Sequence, residues 1–233
     1  MVDRMSRTEI TAAQRLLCTS GWLATTPADF QTAVIKRCIW QRVDPQVTLT
    51  HGGDAAGGMI GVVSGAVGII PAIGPSDTPL AHIARAPFWF GERPTMGQPR
   101  TISVITRTVC DVALVPQKGM EAVMASNPDW LRLLGGLSLN GLLLVTQIAT
   151  DLLIADTKRR CVAVLLRVAG CRTDGEGHHD AGTGQDELAA MANMSRQTTG
   201  TILRRLQADG LVELGYRTIA ITEPAKLRAI VDV

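Results

Sequence analysis

The sequence predicts an α+β fold with sheet and helix segregated along the chain, and three observations carry that expectation. From Ala28 to Pro116, short β-like runs are split by glycines and prolines. A nearly unbroken apolar stretch, Trp130–Ala155, follows with three- and four-residue recurrence. Beyond it lie two short helical segments joined by a tight turn, and then a hairpin. That order reads as an antiparallel sandwich or barrel, a long helix and a winged helix-turn-helix.

Composition narrows the classes. The chain has 233 residues, 46% of them hydrophobic, enough to bury one or two cores and too apolar for disorder. Aromatics make up only 3%, so the cores must be built from Leu, Val, Ile, Ala and Met. The net charge of +2 divides unevenly. Through Asp156 there are twelve basic and twelve acidic residues, and from Thr157 onward eleven and nine. Lys158, Arg159, Arg160, Arg167 and Arg172 occur without an intervening acid, and Arg196, Arg204 and Arg205 share a second acid-free stretch. Positive charge focused in this way suits phosphate contacts. Asp3, Arg4, Arg7 and Glu9 interrupt any apolar run at the start, so no signal peptide is expected. Five widely spaced cysteines, an odd number without a CxxC pair, fit reduced thiols in a cytoplasmic protein and no cysteine-bound metal.

Met1 to about Thr26 reads as a helical lead-in. Strands are expected at Val47–Thr50, Met59–Val63, Ala66–Ile70, Thr101–Arg107 and Val112–Val115, with turns at His51–Asp54 and Gly74–Asp77. Ser126-Asn127-Pro128-Asp129 is a helix start, with Asn or Ser able to cap and Pro and Asp in the first turn. From Trp130 to Ala155 the only charges are Arg132 and Asp151. A helix of this length is about 40 Å long and, being apolar nearly all round, must be covered on more than one side. A membrane span over Leu133–Ala149 is interrupted by Ser138, Asn140, Thr146 and Gln147, and no aromatic belt flanks both ends. The expectation is therefore a helix lying on its own sandwich and on the same helix of a second copy, a two-fold homodimer with no membrane. The division expected is 1–126, 127–156 and 157–233.

After Asp156 a helix is expected at Thr157–Val168, then a polar loop from Cys171 to Gly184 whose His178-His179 pair reads as solvated rather than metal-binding. Gln185–Ala192 is helical, Asn193 tolerates the left-handed turn, and Ser195 caps a second helix, Arg196–Ala208, stopped by Asp209-Gly210. Leu211–Leu214 and Thr218–Thr222 form the wing. In the second helix Ser195, Arg196, Gln197, Thr198 and Thr201 lie away from Ile202, Leu203 and Leu206, in the turns that reach base edges in such domains. Arg pairs bidentately with guanine, Gln with adenine, and Thr with a base or a thymine methyl. Arg204 and Arg205, a turn later, suit phosphates. The partner expected is a pseudo-palindromic duplex.

Arg160–Gly210 resembles the Crp–Fnr family of bacterial regulators, above all in ELAAMANMSRQTTGTILRRLQADGLVEL, whose SRQTTGTILRRL looks like that family's recognition helix. The resemblance extends over nearly the full chain and implies a homodimer with an N-terminal cyclic-nucleotide-binding-like β-roll, a long dimer helix and the winged domain, with RNA polymerase a further partner. Gln197 stands where the family usually has Glu, and Thr201 where a second Arg is frequent, so the half-site read is expected to differ from the family's best-known one. Phe90-Gly91-Glu92 and Arg100-Thr101-Ile102-Ser103-Val104 resemble a phosphate-binding cassette. The resemblance implies that Glu92 accepts from a ribose 2′-hydroxyl, that Arg100 pairs with a cyclic phosphate, that Thr101 and backbone amides complete the cradle, and that Thr146 nears the purine of cyclic AMP or cyclic GMP. Arg93-Pro94 replaces the family's apolar continuation, the loop is shorter, and Val145 stands beside Thr146 instead of a second hydroxyl residue. The alternatives are a Glu92–Arg100 ion pair in a sandwich with another effector or none, and a regulator that is constitutive or triggered by haem, redox state or protein contacts. An N-terminal cysteine cluster for an iron–sulfur trigger is missing. No GxSxG, HExxH or P-loop occurs, and His51–Gly58 lacks the P-loop Lys and the Ser or Thr after it, so no enzyme is expected.

Overall fold

The computed structural model describes residues 2–72, 79–172 and 180–232. Its elements run Val2–Arg4 (β1), Arg7–Thr19 (α1), a 3₁₀ turn at Leu23–Thr25, Ala28–Ile35 (α2), Ile39–Val43 (β2), Thr48–Thr50 (β3), Met59–Ser64 (β4) and Ala66–Pro71 (β5). They continue with His82–Arg85 (β6), Phe88–Phe90 (β7), Glu92–Thr95 (α3), Ile102–Thr106 (β8), Cys110–Val115 (β9) and Gln117–Ser126 (α4). After a 3₁₀ turn at Pro128–Trp130 come Leu131–Leu153 (α5), Thr157–Val168 (α6), Gln185–Met191 (α7), Arg196–Ala208 (α8), Val212–Gly215 (β10), Thr218–Ile221 (β11) and Pro224–Val231 (α9). The chain divides into two units, Met1–Thr78 with Ala84–Leu142, and Pro79–Ile83 with Leu143–Val233, the boundary falling inside α5.

In the first unit, a sheet in the order β1-β2-β9-β4-β7 is joined by a second in the order β3-β8-β5-β6. Strand β4 is buried from Met59 to Val63, on both of its faces, as a strand between two layers must be. Met59 and Val63 point to a core shared with Leu17, Phe30, Val34, Met120, Val123, Leu134 and Leu137. One sheet face is thus roofed by α1, α2, α4 and the first turns of α5. Trp22 meets Phe30 and Trp89 edge-on, and Phe30 meets Trp130 likewise, with centroids 5.3–5.9 Å apart, the geometry ring quadrupoles favour. Gly61 in β4 makes room for this, since a Cβ there would come within 2.7 Å of the Trp89 ring.

Two departures from the sequence reading lie here. The lead-in opens with a strand, β1, that pairs with β2 through Val2↔Val43 to Arg4↔Gln41. Ala28–Ile35, assigned to the β region, is helical because Phe30 and Val34, four residues apart, bury together. The five expected strands appear as β3, β4, β5, β8 and β9, each within two residues of the expected ends. The Gly74–Asp77 turn and His178-His179 lie outside the described residues.

In the second unit α6 is the hub: Cys161 through Val168 are all buried, among α7, α8 and α9. Asp156 caps it, accepting from Arg159 N. Deep burial pushes the Cys161 thiol up to about 12, so at neutral pH it is a small core residue and not a nucleophile. Helix α5 shows the opposite character. Leu139, Leu142, Leu143 and Val145 stay exposed, at 59–62% of their full area. By length and composition alone, Pro128–Leu153 is long and apolar enough to cross a bilayer. The charge within its last turn is tied inward: Asp151 and Arg167, 3% and 2% exposed, form an ion pair at 2.8 Å, with Arg172 at 3.6 Å from the other carboxylate oxygen.

Candidate DNA-reading face and candidate ligand cradle

The turn between α7 and α8 is fixed by Asn193, held at φ 50°, a left-handed conformation in which Asn is several-fold enriched among non-glycine residues. Ser195 then caps α8, its hydroxyl accepting from Thr198 N. Ile202, Leu203 and Leu206 face the core, so the helix presents Arg196, Gln197, Thr198, Arg204 and Arg205 to solvent, with Thr201 half-buried among them. Thr201 Oγ1 donates to Gln197 O and accepts from Arg204 Nη2, which ties the first turns to the next. Two α7 residues that the sequence reading passed over brace this face. Gln185 Nε2 donates to Arg196 O at 3.0 Å, and Asp186 pairs with Arg196 Nε at 2.8 Å. Gly200 admits the Gln185 amide, which a Cβ there would meet at 2.1 Å. A hollow of about 570 Å³ lies beside the helix, lined by Asp156, Thr157 and Lys158 at the head of α6 and by Gln197, Thr198, Thr201, Ile202 and Arg205 of α8. The hollow carries charge of both signs, since Lys158 and Arg205 share it with the Asp156 carboxylate that caps α6. The wing tip is equally open: Tyr216 is 93% exposed.

In the first unit, Arg100 is buried to 7% exposure, and its Nη2 donates to Gly58 O at 2.7 Å. Glycines line it. A Cβ at Gly57 (φ 129°) would sit 2.5 Å from Arg100 Nη2, and one at Gly91 (φ 97°) 2.8 Å from Nη1. Gly58 is pressed against Val115 O, which a Cβ would meet at 1.7 Å. The loop is laced to the cassette through Gly53 N→Arg100 O, Arg100 N→Asp54 O and Gly52 N→Ser103 Oγ. The expected alternative, a Glu92–Arg100 ion pair, does not form. Glu92 Oε1 instead accepts from Ser138 Oγ at 2.9 Å, and the guanidinium has no carboxylate within ion-pair distance among the described residues. Burial lowers the Arg100 pKa, opposed by the more distant charges of Asp54 and Glu92. Thr101 is half-buried, its carbonyl accepting from Ala72 N. Thr146 is exposed on the part of α5 that belongs to the other unit, and the cassette and Thr146 are therefore described separately. The His51–Gly58 run, in the sequence merely a failed P-loop, turns out to supply the cradle wall. Its only sequence signal was its two glycine pairs.

Comparison with known proteins agrees with both halves. Residues 40–127 match the family of cyclic nucleotide-binding domains, and residues 159–230 match the Crp-like helix-turn-helix domain. The CRP-like protein Clp of Xanthomonas campestris pv. campestris (strain B100) is 30% identical over 181 residues, 72% of this chain and 77% of its own. The cAMP-activated global transcriptional regulator CRP of Haemophilus influenzae is 24% identical over 192 residues, 80% of this chain and 85% of its own. The solved structure of the c-di-GMP-responsive global regulator CLP of Xanthomonas campestris shares the fold with a TM-score of 0.64 at 23% identity, covering 84% of this chain and 99% of that one. With an antiparallel sheet domain, a long helix and a helix-turn-helix in that order, the chain belongs to the Crp–Fnr family of DNA-binding transcription regulators.

Proposed function

We propose that this regulator is gated by a small molecule carrying a cyclic phosphate and a free ribose hydroxyl, held between Arg100 and Glu92. The observation that carries this reading is Arg100, a buried guanidinium with a carbonyl on one arm and, among the described residues, no carboxylate within ion-pair distance. Burying an unpaired cation is costly, and an anionic ligand removes that cost. The glycines around it leave space that any side chain would fill. Gly91, Glu92, Arg100 and Thr101 then form the anion and hydroxyl ends of the site; for the purine, the family resemblance offers Thr146. Cyclic AMP is the effector to test first, since one relative is cAMP-activated, with cyclic GMP as the second cyclic mononucleotide; c-di-GMP, to which another similar protein responds, is a dinucleotide and a separate candidate.

The DNA-binding form is a cytoplasmic homodimer joined through α5, reading a pseudo-palindromic duplex with Ser195, Arg196, Gln197, Thr198 and Thr201 and gripping phosphates with Arg204 and Arg205. The domains are 1–126, 127–156 and 157–233, and RNA polymerase is the further partner once the dimer is bound. The exposed leucines of α5 support the dimer. Calorimetry tests the gate: one of the two nucleotides should bind the wild-type chain, and Arg100→Ala should weaken it at least about tenfold, the loss of one charge-assisted phosphate contact. No heat from either nucleotide removes cyclic mononucleotides from the reading.

A further inference from the structure

The Glu92 carboxylate is engaged before any ligand arrives. It stands at the head of α3, behind the left-handed Gly91, and its oxygen Oε1 accepts from Ser138 Oγ, in the third turn of α5, at 2.9 Å. Ser138 is half-buried, and no other side chain donates to this carboxylate among the described residues. The stretch of α5 that Ser138 anchors is a weak helix. Gly135, Gly136 and Gly141 flank it, and a Cβ added at any of the three would meet nothing within 4 Å. Packing within the chain therefore does not require glycine there, and each glycine lowers helix stability. The segment keeps its conformation through its attachments: Trp22 Nε1 donates to Leu133 O at 3.2 Å one turn earlier, and Ser138–Glu92 ties the helix to the ligand cradle.

We propose that Ser138 is the residue through which α5 senses occupancy of the ligand cradle. In the empty protein its hydroxyl clasps Glu92. An effector hydroxyl arriving at the same oxygen takes its place and frees the glycine-rich middle of the long helix. This rests on the reading of Glu92 as the acceptor for an effector hydroxyl. One hydroxyl donor replaces another on the same carboxylate, so the exchange itself is nearly balanced. The phosphate contact at Arg100 supplies the drive, and a ligand shifts an equilibrium only by its differential affinity for the two states.

Ser138→Ala removes the clasp and substitutes a better helix former, so the variant folds. Two measurements on the full chain separate the clasp from the pocket. Amide hydrogen exchange over residues 135–142 without ligand should quicken by at least about fivefold in Ser138→Ala and stay at the wild-type rate in Ser138→Thr, which keeps the hydroxyl. DNA affinity of ligand-free Ser138→Ala should move toward that of nucleotide-bound wild type, cutting the ratio between the two states to within about twofold. If Ser138→Ala exchanges and binds DNA like the wild type, the proposal is overturned. If Ser138→Ala loosens the helix but neither cyclic nucleotide gives heat with the wild type, the clasp stands and the ligand reading is the part refuted.

Discussion

Arg196 is already paired in the free protein, and magnitudes decide whether that matters. Its partner Asp186 is largely exposed, as is Arg196 itself. An exposed ion pair contributes about 0–1 kcal/mol. A bidentate contact to guanine contributes about 1–3 kcal/mol of discrimination. A base contact of the kind proposed for Arg196 would therefore outcompete the carboxylate, with the pair holding the guanidinium in place in the free protein. Arg196→Ala should cost about 1–3 kcal/mol on the cognate duplex and much less on random DNA. Arg204→Ala should instead weaken both duplexes alike and flatten the salt dependence by about one unit of slope. Titrations on both duplexes across salt concentration read both outcomes. A uniform loss for Arg196→Ala would reassign it to the phosphates.

The junction of α5 and α6 shows how an element can be anchored by one buried charge pair. Arg167 Nε donates to Asp151 Oδ2 at 2.8 Å, while Nη1 reaches Ala81 O at 3.2 Å and lies 3.1 Å from His82 Nδ1. Removing one partner of a buried pair leaves the other charge uncompensated, at a cost of about 3–5 kcal/mol. Asp151→Asn should therefore lower the unfolding free energy read from urea titration by that much, and a loss under about 1 kcal/mol would show that Arg167 finds other partners. In the sequence Asp151 looked only like an interruption of an apolar run, because its partner lies sixteen residues on, in another helix. The elements that could be read had local chemistry at their ends: Asn193, the Ser195 cap and Gly210 at φ 70° bracket α8, and Asp156 caps α6. Those that escaped, α2, α3, α4 and α9 with β1, β2, β6 and β7, are short and owe their form to what they pair with or pack against. The two halves of the site divide in the same way. The exposed face of α8 follows from amphipathic spacing within one helix, whereas the Arg100 cradle is assembled by Gly57 and Gly58, more than forty residues upstream.

At the scale of the whole molecule, the exposed apolar residues of α5 bear on the assembly proposed above. Leu139, Leu142, Leu143 and Val145 expose 59–62% of their areas on one helix, and an apolar stripe of that kind seeks either a second protein surface or lipid. Membership of a DNA-binding family favours the protein surface, and a two-fold contact carries two reading helices at a fixed separation. The wild type should sediment as two chains and stay in the soluble fraction, whereas Leu142→Glu with Val145→Glu should sediment as one, since four buried carboxylates cannot share an apolar seam. On a duplex with two half-sites about one helical turn apart, the dimer gains from the effective concentration of its second reading head. The monomeric variant should lose at least about 100-fold in affinity there while keeping its grip on a single half-site. Inserting about five base pairs between the half-sites turns one of them to the opposite face of the duplex, and should cost the wild type as much as monomerisation does. If the wild type tolerates that insertion, the two heads are not held rigidly by α5, and their spacing must come from the DNA.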